Sequence, residues 1–265
     1  MPDTSGWQVT DSAPRHYQDE VRRFMDPFAD LLVAAAVVAG DEVLDVACGT
    51  GFATRAAART AGNDGRVIGT DINGAMLELA AAISIETGDE ITWQQASAMD
   101  LPFDDEDFNS VICQQGVQFF PDPPKGLAEM ARVTRVGGSV GLTVWSEVGE
   151  SPYLDAMHLM ALEFCGADAS AMKLNTDEAE ITAWFARAGI GPPVIQRHTA
   201  SVALPPMESF IPAHMKATPW AVDFDALSQE STNDAIAFMR EHIGQRRRFS
   251  GATVPFSSFL ATAIV

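Results

Sequence analysis

VLDVACGTGFAT, residues 43–54, runs from a β-branched apolar segment straight into a loop of small residues. The first half has the composition of a buried strand, which delivers Asp45 to its carboxyl end. Gly49 and Gly51 strip side chains from the following loop so that a ligand can approach the backbone. A helix starting near Phe52 then offers unpaired N–H groups at its N-terminus. Asp71 closes the next apparent strand, about 20 residues on, where a carboxylate can accept both hydroxyls of a ribose. A glycine loop followed by a strand-end acid points to a nucleoside-bearing ligand and leaves the nucleoside open.

Outward from that loop the chain alternates short β-branched runs with longer helical ones. The strands are read at 43–47, 66–71, 91–95, 109–114 and 139–145. The stretches between them, such as GAMLELAAAISIETG (74–88) and PPKGLAEMARVTRVGG (123–138), carry apolar residues three and four apart and end at glycine, as helices do. Strand and helix in repeated alternation predict a doubly wound, mostly parallel α/β sheet covered on both faces, with ligands at the carboxyl ends of the strands. Beyond residue 150 the pattern predicts helices at 152–164 and 177–188, the second capped by Asn175 or Thr176 and closed by Gly189. Extended segments follow at 193–203 and 253–264. Between them, residues 206–248 form a helical insertion with Met207, Phe210, Met215 and Trp220, read either as a lid over a pocket or as helices closing the core.

Composition sets further bounds. A chain of 265 residues with 47% apolar content supports one core. We expect one domain over 1–265, with a helical cap at 1–40, a ligand-binding core at 41–146 and the lid at 206–248. The formal charge of −19 argues against unassisted binding to nucleic acid or anionic lipid. Arg246, Arg247 and Arg248, the one basic cluster, match a helix C-terminal dipole or a solvated face. Cys48, Cys113 and Cys165 lie far apart and offer no metal-finger spacing, which fits a reducing compartment. The N-terminus has no apolar segment of the secretory kind, and LLVAAAVVA (31–39) is too short to span a bilayer and reads as a buried helix, so a cytoplasmic protein is expected.

The nucleoside can be narrowed. A dinucleotide loop needs a third glycine or alanine where Thr54 stands, and a pyrophosphate sits uneasily beside Asp45. A ligand with an ammonium and a sulfonium but no phosphate suits this acidic strand end. VLDVACGTG, VIGTDINGAML, LPFDDEDFNSV and EMARVTRVGG, in that order over residues 40–146, resemble the class I S-adenosylmethionine-dependent methyltransferases. Within them the chain is similar to the quinone-biosynthesis methyltransferases and to bacterial small-molecule methyltransferases.

The resemblance implies a seven-stranded Rossmann-like sheet and S-adenosylmethionine as cofactor. It implies that Asp45, Gly49 and Gly51 hold the methionine moiety, that Asp71 takes the ribose hydroxyls, and that Ile72 and Met76 flank the adenine unless they are ordinary core. In QQASAMDLPF (94–103) Ser97 occupies the slot where the family often has Asp, weakening that grip on the adenine amino group, with the Ala98 N–H left to read the ring. Asp100 is a substitute or a turn residue. Asn109 and Val136 replace a usual Asp and Pro. In CQQGVQFFPD (113–122) Gln114 and Gln115 reach towards the methionine end or the acceptor, Gln118 stands where a His is common, and Phe119 and Phe120 read as core.

Methyl transfer is mainly placement, and a base is needed only if the acceptor must lose a proton. His16, His158, His198, His214 and His242 are the histidine candidates. His16 and Tyr17 stand out because N-terminal helices of this group often fold over the cofactor; Tyr17 then faces the sulfonium with its ring. The acceptor is expected to be a small apolar or aromatic molecule framed by 152–164 and 206–248. The alternatives are a cofactor-dependent reaction other than methyl transfer, or a non-catalytic ligand-binding protein. Nothing in the pattern sets the oligomeric state or which of O, N or C is methylated.

Overall fold

The computed structural model describes residues 13–167, 176–245 and 253–265. Arg246–Arg248 and Asn175 lie outside the described residues. A short helix, Ala13–His16 (α1), runs through a π-helical turn at Tyr17–Val21 into Arg22–Ala36 (α2). Then β1 (Glu42–Val46), α3 (Phe52–Ala61), β2 (Arg66–Asp71), α4 (Gly74–Thr87), β3 (Thr92–Gln95), β4 (Phe108–Gln114), α5 (Pro123–Val133) and β5 (Thr134–Trp145) follow in alternation. The remainder is α6 (Pro152–Phe164), α7 (Glu178–Arg187), β6 (Val194–Ala203), α8 (Met207–Met215), α9 (Ala221–Asp225), α10 (Gln229–Gln245) and β7 (Thr253–Ile264).

The seven strands form one sheet in the order β3-β2-β1-β4-β5-β7-β6, parallel except for β7, which runs antiparallel to both β5 and β6. Strand order reverses between β1 and β4, so the loops leaving those two strands open a crevice at the carboxyl edge. Side chains alternate across the sheet with period two. Val43, Val67, Ile112, Phe256 and Leu260 join one apolar cluster with α2, α3, α6 and α8 to α10. Leu44, Ile68, Val111 and Phe259 join the other with α5 and α7.

Local chemistry sets the boundaries. Asn73 caps α4 by accepting from Ala75 N at 3.0 Å, and Gly88 ends it in the left-handed region. Asp122 caps α5 ahead of two prolines. That helix stops at Val133, short of the glycines, and β5 begins at Thr134 rather than 139: Thr134 pairs with Phe108 of β4 ahead of a bulge. The cap of α7 is neither Asn175 nor Thr176 but Asp177, whose carboxylate accepts from Glu180 N at 2.7 Å. The 31–39 run is helical only to Ala36. Asn109 ties the sheet's amino edge together, accepting from Glu42 N at 2.9 Å and Arg135 Nη1 at 3.0 Å, a folding role for a residue outside the crevice. No helix among the described residues is long and apolar enough to cross a membrane. Helices α8 to α10 are part of the core: Phe210, Ile211, Met215 and Trp220 are buried against α2 and α6.

Candidate functional site

The crevice opens into a cavity of about 1240 Å3, mouth included, at the carboxyl ends of β1, β2 and β4. One half is built by Gly49, Asp71, Ile72, Met76, Ser97 and Ala98, the other by Phe24, Met25, Trp145, Leu154, Met157 and His214, with Tyr17, Gln114 and Gln115 lining the same wall.

Asp71 is the hinge of the first half. Its Oδ2 accepts from Gly49 N and its Oδ1 from Asn73 N, each at 2.8 Å, so one carboxylate joins the glycine loop to the start of α4. Burial raises its pKa, and the backbone N–H bonds oppose that rise. Tyr17 lies over the loop, with its Cε1 3.9 Å from the Cβ that an alanine at Gly49 would carry. Burial, then Asp71, pushes its phenol far above the usual range. Ser97 Oγ accepts from Met99 N at 3.2 Å in the turn, while Asp100 is exposed and outside the cavity wall. Gln114 Nε2 donates to Met25 O at 2.7 Å and Gln115 Nε2 to Ser258 Oγ at 2.9 Å. Gln115 and Ala47 both take positive φ, 53° and 56°, in the two loops that face each other across the crevice. Strain of this kind concentrates where a structure holds a ligand.

Several residues singled out from sequence lie elsewhere. Gly51 does not line the cavity: its missing Cβ makes room for the indole of Trp93, 2.4 Å from where that atom would sit. Gln118 is in the core, its Oε1 accepting from Trp145 N at 3.0 Å, so it pins the turn after β4 to β5 instead of facing a ligand. His16 is half-buried one residue before the π turn and is not in the wall. Of the five histidines only His214 lines the cavity. Phe119 and Phe120 both line the crevice, and Phe120 also packs in the core.

Asp45 is fully buried behind the loop, outside the cavity wall, with Oδ2 accepting from Thr54 Oγ1 at 2.6 Å and Oδ1 without a partner. Burial pushes its carboxyl up to about 7, the Thr54 bond pulling it back and Asp71 adding to the rise. An unfolded aspartate titrates near 3.9. Between about pH 4 and 7 the folded chain therefore keeps a proton the unfolded chain has lost, and this group's contribution to stability falls as pH rises through that window. Asp45→Asn, neutral throughout, should gain stability relative to the parent at pH 8 compared with pH 5 in urea unfolding. The same difference at both pH values would show that Asp45 is ionised throughout.

Residues 43–138 match the family described as Methyltransferase domain. The ubiquinone/menaquinone biosynthesis C-methyltransferase of Chromobacterium violaceum is 32% identical over 173 residues, 60% of this chain and 71% of that one. The chain belongs to the class I S-adenosylmethionine-dependent methyltransferases. An uncharacterized protein of Mycobacterium tuberculosis is 39% identical over 123 residues; that match takes in 46% of this chain and 44% of the relative's own length. A SAM-dependent methyltransferase from Aquifex aeolicus superposes with a TM-score of 0.58 over 97% of this chain and 100% of its own, at 16% identity. The cyclase SpnF superposes at 0.52, over 98% and 87% and at 18% identity. The methyltransferase fold thus hosts more than one named reaction.

The residues present fit the family's cofactor. Among the described residues no Lys or Arg lines the cavity, so a pyrophosphate would find no cationic partner. An ammonium group finds the reverse, a buried Asp45 oxygen with no partner behind the loop and Asp71 in the wall. Gln115 Oε1, also buried and unpaired, is a second acceptor beside the crevice. Sequence pattern marked Gln115 but carried no sign of its positive φ, and it named His214 without separating it from the other four histidines.

Proposed function

We propose that this chain transfers a methyl group from S-adenosylmethionine to a small apolar or aromatic molecule. The observation that carries the reading is the division of one cavity into an acid-and-glycine half without a basic side chain and an aromatic half walled by Phe24, Trp145 and Met157. When bound, the cofactor supplies a carbon already activated by a sulfonium. The chain's own share is then placement and the exclusion of water. Asp71 would accept from the ribose hydroxyls, Ile72 and Met76 would bracket the adenine, and Ser97 with the Ala98 backbone would read its edge. Gly49 would let the methionine end approach the loop, with Asp45 as buried counter-charge. Gln114, held by Met25, and the ring of Tyr17 would border the sulfonium. Helices α6 and α8 would frame the acceptor through Leu154, Met157 and His214, which line the cavity, while Phe210 and Met215 anchor α8 in the core.

S-adenosylhomocysteine at about 100 times its Kd should stabilise the folded chain by ~2.7 kcal/mol, and NAD should leave the melting temperature unchanged. For a chain of this size that is a rise of roughly 5 to 11 °C in thermal denaturation. A shift with NAD alone overturns the cofactor reading. Release of S-adenosylhomocysteine when an aromatic acceptor panel is added tests the reaction itself; a panel that binds without any release favours a cofactor-dependent reaction of another kind.

A further inference from the structure

One polar side chain interrupts the aromatic half of the cavity, and its protonation can be worked out from its neighbours. His214, on α8, is 3% exposed and reaches the cavity wall. Its Nδ1 lies 2.7 Å from the hydroxyl of Tyr153 on α6. Tyr153 is itself 1% exposed, packed among Phe210, His214 and Phe256, and does not touch the cavity. Among the described residues its hydroxyl has no hydrogen-bond partner other than His214.

Two tautomers satisfy the 2.7 Å distance and differ in what they leave unpaired. If Nδ1 carried the proton and donated to the phenol oxygen, the phenolic proton would be buried with no acceptor. Leaving a donor in that state carries a full desolvation penalty. If the tyrosine donates to Nδ1, no buried proton is orphaned and the imidazole proton must sit on Nε2. Among the described residues Nε2 has no partner, and it is not among the atoms sealed from solvent without one, which leaves it open to the cavity.

We propose that His214, locked by Tyr153 as the Nε2–H tautomer, is the hydrogen-bond donor that positions the acceptor, and that the acceptor is an apolar ring system bearing an oxygen with free lone pairs, such as an aryl ketone. This deepens the reading of the aromatic half as the acceptor pocket and rests on it. Phe24 meets the imidazole edge-on at 5.5 Å and Phe210 stacks on it at 5.5 Å. The charged groups nearby are Arg23, in the first turn of α2, whose guanidinium lies 5.1 Å over the Phe210 ring, and its ion-pair partner Glu20, in the π-helical turn before it. Burial, then the positive charge of Arg23, lowers the imidazole pKa to about 3, so the ring stays neutral at working pH and is a poor proton acceptor. Its use is therefore recognition and not deprotonation. In an apolar wall a single donor also sets which face and which end of a flat molecule enters, since the wrong orientation leaves the donor unpaired. Tyr153 is a positioning residue that acts through His214.

The test has two readouts. Imidazole 15N spectra of the whole chain saturated with S-adenosylhomocysteine should show His214 protonated at Nε2, bare at Nδ1 and unchanged down to pH 5. Protonation at Nδ1, or titration near pH 6.5, overturns the proposal. Tyr153→Phe removes the lock and should mix the tautomers, a change that loss of packing alone does not produce; an unmixed Nε2–H signal in that variant removes Tyr153 from the proposal. The second readout is binding of 1-tetralone against its carbonyl-free analogue tetralin. The parent should prefer the ketone by about tenfold, and His214→Phe, which keeps an aromatic ring, should lose that preference. Because that variant orphans the Tyr153 hydroxyl, the double variant with Tyr153→Phe serves where the single one fails to fold. Equal binding of the two probes, binding of neither, or a preference that survives in the variant overturns the proposal. Retained S-adenosylhomocysteine binding in each case separates this failure from failure of the cofactor reading.

Discussion

Replacing Asp71 with alanine is expected to weaken S-adenosylhomocysteine binding by about 10- to 150-fold, the equivalent of ~1.4–3 kcal/mol for a charge-assisted site. The carboxylate does two things that alanine cannot. It holds Gly49 N and Asn73 N at 2.8 Å, so its loss frees the glycine loop from the start of α4, and it removes the acidic acceptor from that wall of the cavity. Asp71→Asn separates the two: one oxygen still accepts from a backbone N–H, but the charge is gone, and a loss intermediate between parent and alanine is expected. Calorimetric titration of the three proteins reads both steps. Unchanged affinity in the alanine variant would mean that the ribose is held elsewhere.

How much of this site could be read in the sequence depends on the distance over which each feature is set. The strand-loop-helix at 43–54 and the acid at 71 are local patterns, so β1, β2, α3 and the crevice they form were legible, as were β6 and β7 as extended segments. Helix ends were less so. The end of α5 at Val133 depends on Thr134 pairing with Phe108 of β4, a contact between residues far apart in the chain. Side-chain roles set by tertiary neighbours were the least legible. Gln118 sits beside loop residues that do face the crevice, yet its carboxamide is taken by Trp145 N, and nothing in CQQGVQFFPD distinguishes it from Gln114 or Gln115. His214 shares its residue type with four other histidines and is set apart only by α8 folding against Tyr153. Ser97, by contrast, is reached by counting back from LPF and does line the cavity, because that turn is short.

The two glycines of the opening loop illustrate the same division, and a paired substitution should expose it. Gly49 and Gly51 both have positive φ, 56° and 86°, so alanine at either carries ~1–2 kcal/mol of backbone strain. At Gly49 a Cβ meets nothing closer than Tyr17 Cε1 at 3.9 Å, on the cavity side. At Gly51 it would lie 2.4 Å from Trp93 Cη2 and 3.0 Å from Arg55 Nη1. The indole has nowhere to retreat, because its Cζ3 and Cε3 already occupy the space beside Gly69, 2.6 and 2.7 Å from where a Cβ there would be. Overpacking of this kind adds a further 1–3 kcal/mol or so. Gly51→Ala should therefore lose about 2–5 kcal/mol, a fall of roughly 4 to 20 °C in melting temperature, while Gly49→Ala loses less stability and more cofactor affinity. Adding Trp93→Ala to Gly51→Ala relieves the overlap but not the backbone strain, so part of the loss attributable to Gly51→Ala should return and part should not. If Gly51→Ala melts no lower than Gly49→Ala, the indole is free to move and the second glycine of the loop is there for its φ alone.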